Sequence, residues 1–141
     1  MGKVIFYIIV IALIGIQFIK VERSNPPVTA DLNAPAEIKA ILKNSCYDCH
    51  SNQTKFPWYS SVAPISWMIA DHVKEGRAEL NFSDWGKLSY QNKSNLKKKI
   101  WEEVNNDKMP LSGYSIVHPT AQMDEMKKLA IKNWALKDGY N

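Results

Sequence analysis

Apolar positions along the chain fall into two patterns. From Val4 to Ile19 the run VIFYIIVIALIGIQFI holds seven Ile, two Val, two Phe and one Leu, is apolar on every face, and meets a single strongly polar side chain, Gln17. Twelve such residues at about −0.3 to −0.6 kcal/mol each favour bilayer insertion by more than one Gln costs. Sixteen to eighteen residues at about 1.5 Å rise reach roughly 24 to 27 Å, enough for a thin bilayer. The pattern predicts a single transmembrane helix over residues 1–21. A retained signal anchor is favoured over a cleaved signal peptide, because no small-x-small site follows and the flank IKVERSN is bulky and charged. Residues 22–35, with Pro26, Pro27 and Pro35 and no apolar periodicity, read as a stiff extended spacer.

Beyond residue 35 the apolar positions recur at helical spacing. Residues 34–45 put Ile38, Ile41 and Leu42 on one face, with Pro35 near the first turn and Glu37 at the positive dipole end. A second helix is predicted from Pro64 to Gly76, the glycine serving as its stop. A third over 92–106 repeats Leu96, Ile100 and Val104 every four residues, and a fourth over 120–137 is opened by Thr120 after Pro119 and ended near Gly139. No stretch sustains period-two alternation, so no substantial sheet is predicted. The fold class is all-α: one small helical domain over residues 36–141, preceded by the N-terminal helix and its spacer.

Composition narrows the function. Of 141 residues, 45% are hydrophobic and 23% charged, which excludes collagen-like, mucin-like and wholly disordered chains. Net charge is +4, but Lys3, Lys20 and Arg23 flank the apolar run, with Glu22 the one acid there. The remainder carries 15 basic and 13 acidic residues, too even a balance for a nucleic-acid partner.

The only two cysteines stand in Cys46-Tyr47-Asp48-Cys49-His50, the CxxCH signature of haem c attachment. Thiols three positions apart can both reach the vinyl groups of one porphyrin, and the adjacent imidazole then swings under the iron, making His50 the proximal ligand. A redox dithiol, a structural disulfide and half a zinc site are the alternatives. Zinc would need about four ligands, and only His72 and His118 remain to supply them. Haem c is attached outside the bacterial cytoplasmic membrane, so this reading also sets topology: a single-pass protein of the cytoplasmic (inner) membrane, N-terminus in, haem domain facing the periplasm.

One motif implies one haem, whose second axial ligand comes from Met68, His72, Met109, His118, Met123, Met126 or nothing. Met68, Met123 and Met126 fall on or beside apolar helical stripes and read as packing. Met109 differs. It lies in the turn-rich Asn106–Gly113 stretch, 59 residues after His50 and before one last helix, where its sulfur can turn to an iron without breaking a helix. Met109 is therefore the predicted distal ligand and His118 the chief rival. Trp58 and Tyr59, in the aromatic cluster after the motif, are candidate haem walls, Trp67 and Trp85 share that candidacy, and Arg77 is a candidate partner for a haem propionate. The Lys93–Lys99 run reads as a solvated face or a docking patch for an acidic redox partner.

The stretches CYDCHSN, Phe56-Pro57-Trp58-Tyr59-Ser60, Val62-Ala63-Pro64, Ser66-Trp67, Glu75-Gly76-Arg77 and Leu80–Trp85 resemble the bacterial haem-binding domain family, and the likeness continues through Met109-Pro110, Tyr114, His118-Pro119 and Trp134. This chain reads Met-Pro-Leu where such proteins commonly read Met-Pro-Pro, and Phe56 stands where Trp is common. The resemblance implies haem binding in an exported, membrane-tethered setting, and no particular substrate.

These readings together describe a membrane-anchored, extracytoplasmic monohaem c-type cytochrome. It would carry single electrons to a redox partner protein or respiratory complex, with lipid contact through the N-terminal helix and no bond chemistry or small-molecule substrate of its own. The alternative is a peroxidase-like enzyme or a gas or redox sensor with an open distal site.

Overall fold

A computed structural model describes residues 1–137. Its ordered elements are all helical: α1 (Gly2–Gly15), α2 (Ala36–Ser45), α3 (Tyr47–His50), α4 (Ile65–Glu79), α5 (Tyr90–Asn105), α6 (Ser112–Val117) and α7 (Glu125–Leu136), with short 3-10 turns at Ile16–Phe18, Trp58–Ser61, Phe82–Lys87 and Pro119–Ala121. The four helices read from apolar spacing correspond to α2, α4, α5 and α7. The stop assigned to Gly139 lies outside the described residues, and the one-turn helices α3 and α6 are too short for periodicity to reveal.

The N-terminal run corrects the sequence reading. Its helix ends at Gly15 after 14 residues, about 21 Å at 1.5 Å per residue against a hydrocarbon core of roughly 30 Å. No helix of the described residues is long and apolar enough to cross a membrane. The predicted transmembrane helix is overturned, and with it the single-pass placement in the cytoplasmic membrane. The apolar run continues to Ile19, but the helix does not. Gln17 turns to the Ala63 peptide, donating from Nε2 to its carbonyl at 3.1 Å and accepting its N–H at 3.0 Å, and the backbone is extended by Ile19.

Residues 22–35 form no helix or strand, and they lie along the helical domain. Polyproline-like backbone satisfies none of its own polar groups, and here several are met by the helical domain, with side-chain bonds beside them. Asn52 Nδ2 donates to the Pro27 carbonyl at 2.9 Å, and Asn25 Nδ2 to that of Thr54 at 2.9 Å. Ala30 N–H reaches Ser83 O, Leu32 N–H reaches Phe82 O, and Gly86 N–H returns to Ala30 O at 2.8 Å. Glycine suits that return, since a Cβ on Gly86 would press on the Ala30 Cβ at 3.0 Å. Leu32 is 2% exposed, within the main core.

That core gathers aliphatic side chains of α2, α5 and α7 around a row of aromatic rings running from α3 through the Phe82–Lys87 turn to α7. Tyr47 stacks on Phe82 at 5.0 Å between centroids, Phe82 leans on Trp85 at 6.0 Å, and Trp85 on Trp134 at 6.3 Å. The Phe82–Lys87 turn that delivers two of these rings is capped by Asn81, whose side chain accepts the Ser83 N–H at 3.0 Å. Ser83 Oγ accepts the Asn52 N–H at 2.9 Å.

Because Leu32 is core, Leu32→Ala lowers the free energy of unfolding by about 2–5 kcal/mol, measured by denaturant titration. A free spacer would show no change.

Candidate functional site

The motif is a single helical turn. After Ser45 the chain leaves α2, and the Cys46 carbonyl then accepts both the Cys49 N–H (3.2 Å) and the His50 N–H (2.9 Å). This turn lies directly against α4 at Gly76, where a Cβ would stand 2.7 Å from the Cys49 carbonyl oxygen. Gly76, predicted as a helix stop, lies three residues inside α4, and its role is close approach.

The crossing gives His50 its orientation. Nδ1 sits 2.8 Å from the Gly76 carbonyl and 3.2 Å from that of Leu80. Both neighbours are acceptors, so Nδ1 carries the proton and Nε2 keeps its lone pair free, the tautomer a metal requires. Burial pushes the imidazole pKa down, only partly opposed by the two carbonyl hydrogen bonds.

His50 opens on a cleft of about 510 Å³, within the usual range for ligand sites. Cys46, Cys49 and Met109 line the same cleft, with Leu96, Ile100 and Val104 of α5 as an apolar wall. Phe82 belongs both to this lining and to the core. The rim is charged: Lys99 Nζ pairs with Glu79 Oε2 at 2.7 Å, and Glu75 and Glu103 lie nearby on the lining.

Both cysteines are free thiols. Burial, then the neighbouring Cys49, pushes Cys46 up to about 12. Burial and Asp48 push Cys49 up to about 11, with Arg77 opposing. A dithiol exchange site lowers one of its thiols, and burial here raises both. Among the described residues no group of three or more His, Cys, Asp or Glu is arranged to hold a metal ion, which leaves the zinc alternative without a ligand set.

The other predicted residues divide. His118 is not on the cleft lining; its Nε2 pairs with the Tyr59 hydroxyl at 2.9 Å. Trp58 is 80% exposed, and Trp85 lies in the core. Neither Trp58 nor Tyr59 joins the cleft lining. Arg77 is turned to the N-terminal segment, its Nε donating to Ser51 O (2.8 Å), Nη1 to Ser24 O (3.0 Å) and Nη2 to Asn25 Oδ1 (2.7 Å). Conversely, the cleft includes Asp48 and Tyr114, to which sequence reading gave no place on its wall, and His72, which it named among the candidates for the second axial ligand without preferring it. Asp48 had a signal available in its position inside the motif. His72 and Tyr114 depend on how distant helices pack.

These residues fit a haem. The cleft offers two thiols at motif spacing, one neutral imidazole with a free nitrogen, one thioether sulfur and apolar walls. Ser45 Oγ on its wall is buried with no hydrogen-bond partner among the described residues.

Gly76→Ala forces the crossing apart. We expect a loss of about 1–3 kcal/mol in stability together with reduced haem retention, read by thermal unfolding and by haem absorbance per protein. In the apoprotein, His50 resists protonation when folded and takes a proton near pH 6.5 when unfolded. The unfolded state therefore binds more protons just below that pH, and stability falls as pH drops through it. Denaturation midpoints between pH 8 and 5 show this slope, and His50→Gln flattens it.

Neither a curated protein nor a solved structure matches this chain. A family model described as a haem-binding domain matches residues 11–137. With the neutral imidazole, the paired thiols and the cleft between them on the same segment, the chain belongs to the haem-binding domain family.

Proposed function

We propose that this protein is a monohaem c-type cytochrome that transfers single electrons. Cys46 and Cys49 would tether one haem covalently, and His50 Nε2 and the Met109 sulfur would be the side-chain atoms that hold its iron. The supporting observation is that His50 and Met109, 59 residues apart in sequence, line one cleft together with both thiols. A haem held this way takes up and releases one electron as its iron changes oxidation state.

The protein's own residues do the rest. The Gly76 and Leu80 carbonyls fix the imidazole ring and raise its ligand strength by accepting the Nδ1 proton. Leu96, Ile100 and Val104 give the cleft an apolar wall, which would keep water from a bound haem and so tune its potential. Keeping both axial ligands in place limits rearrangement between oxidation states, which favours electron transfer over bond chemistry. An acceptor or donor protein is the partner such a site serves.

A second reading draws on His72, which lines the same cleft. An iron left open on its distal side, with His72 as acid and base, would suit a peroxidase-like enzyme or a sensor.

The test is an absorption spectrum of protein co-expressed with a haem c maturation system. We expect haem to stay with the polypeptide through denaturing electrophoresis, and the ferric form to show the long-wavelength Met-to-iron band. The ferrous form should exclude carbon monoxide, and Met109→Ala should abolish the band and admit the gas. If the wild type binds carbon monoxide readily and Met109→Ala changes nothing, the closed site is wrong and the His72 reading takes its place.

A further inference from the structure

The two sides of the cleft are held by different forces. On the His50 side, α3 and α4 are in backbone contact at Gly76. On the Met109 side the chain leaves α5, and the Met109 N–H bonds back to the Glu103 carbonyl at 3.1 Å. Beyond Pro110 comes α6, in which no side chain is buried and Ile116 and Val117 are 75% and 58% exposed. Hydrophobic burial does little to hold a segment of this kind.

Specific hydrogen bonds hold it instead. The Tyr114 hydroxyl donates to Asp48 Oδ2 at 2.8 Å, across 66 residues of sequence, and Asp48 stands inside the CxxCH turn, fixed there by accepting the Lys55 N–H on Oδ1 at 3.0 Å. Tyr114 also stacks on His118 at 4.2 Å, and His118 is held by Tyr59. Tyr114 lines the cleft five residues after Met109. The loop bearing the sulfur is thus closed onto the very turn that bears the thiols and the imidazole.

We propose that Tyr114 is a positioning residue that latches the Met109 loop over the iron through its hydrogen bond to Asp48. The inference rests on Met109 as the distal ligand. It assigns to the second variable residue of the CxxCH motif the work of closing the opposite face. With the latch made, the sulfur is confined near the iron and competing ligands are excluded. With it broken, the segment from Pro110 to Val117 swings more freely and the Met109–iron bond opens more often.

The test removes one hydroxyl. In Tyr114→Phe, a hydrogen bond to a carboxylate is lost, and bonds of this kind shift an equilibrium by about ten- to a hundredfold. We expect ferrous carbon monoxide affinity to rise by that factor towards that of Met109→Ala, the ferric Met-to-iron band to weaken, and covalent haem content to stay at the wild-type level. Asp48→Asn, which keeps the shape and an acceptor oxygen but removes the charge, should move the same readouts less. Combining Tyr114→Phe with Asp48→Asn should add little beyond Tyr114→Phe alone. In the apoprotein, where no haem contributes, amide hydrogen exchange over Ser112–Val117 should accelerate in Tyr114→Phe.

If Met109→Ala opens the iron while Tyr114→Phe stays as closed as the wild type, the latch is overturned and the ligand assignment stands. Faster exchange in α6 with no change in carbon monoxide affinity overturns it equally. If the wild type already binds the gas as readily as Met109→Ala, the ligand assignment itself fails and the latch falls with it.

Discussion

The arrangement depends on one close approach, the turn bearing Cys49 and His50 lying against α4 at Gly76. A helical carbonyl normally satisfies one N–H four residues on, and Gly76 O does so, accepting the Leu80 N–H at 2.9 Å. An oxygen has a second lone pair, and here the absence of a Cβ lets His50 Nδ1 reach it at 2.8 Å. Helix α4 therefore orients the imidazole without giving up a backbone hydrogen bond. Any side chain at position 76 would separate the two elements, and the orientation of His50 and the shape of the cleft would change together.

The N-terminal extended segment serves the same cleft from behind. Phe82 is both core and cleft wall, and its backbone carbonyl is held by Leu32 N–H while that of Ser83 is held by Ala30 N–H. Arg77, one residue after the crossing, reaches from α4 to Ser24 and Asn25. The segment thus braces both the aromatic wall and the helix that carries Gly76. This accounts for the burial of Leu32 in a stretch whose composition suggests only a spacer.

What the sequence made legible was local, and what it hid depended on contacts across the chain. Apolar spacing marked α2, α4, α5 and α7, and the five-residue motif named both thiols and the imidazole, because each signal lies within one or two helical turns. The run from Val4 to Ile19 read as one long helix because nothing nearby shows that Gln17 pairs with Ala63, 46 residues away. Gly76 read as a stop because glycine near the end of an apolar pattern commonly is one, and only the Cys49 carbonyl reveals the crossing. His118 was drawn in by its loop position beside a proline. The fold commits it to Tyr59 and brings His72 to the cleft instead, since α4 presents that face to the motif.

The two sides of the cleft also differ in how they can move, and the difference suits their tasks. Backbone packed against backbone at Gly76 has no side-chain rotamer to relax, so the carbonyls that accept the His50 Nδ1 proton are themselves held firmly in place. The opposite wall is fastened by Tyr114 to Asp48 and by His118 to Tyr59. A hydrogen bond can break and reform while the core stays intact, and with no buried side chain in α6 little else resists opening. On the reading of His50 and Met109 as the ligand pair, the ligand next to the covalent tether is the rigid one and the distant ligand is exchangeable. On that reading a made latch would keep the site closed, as electron transfer asks, and the same chain with the latch released would present an open iron.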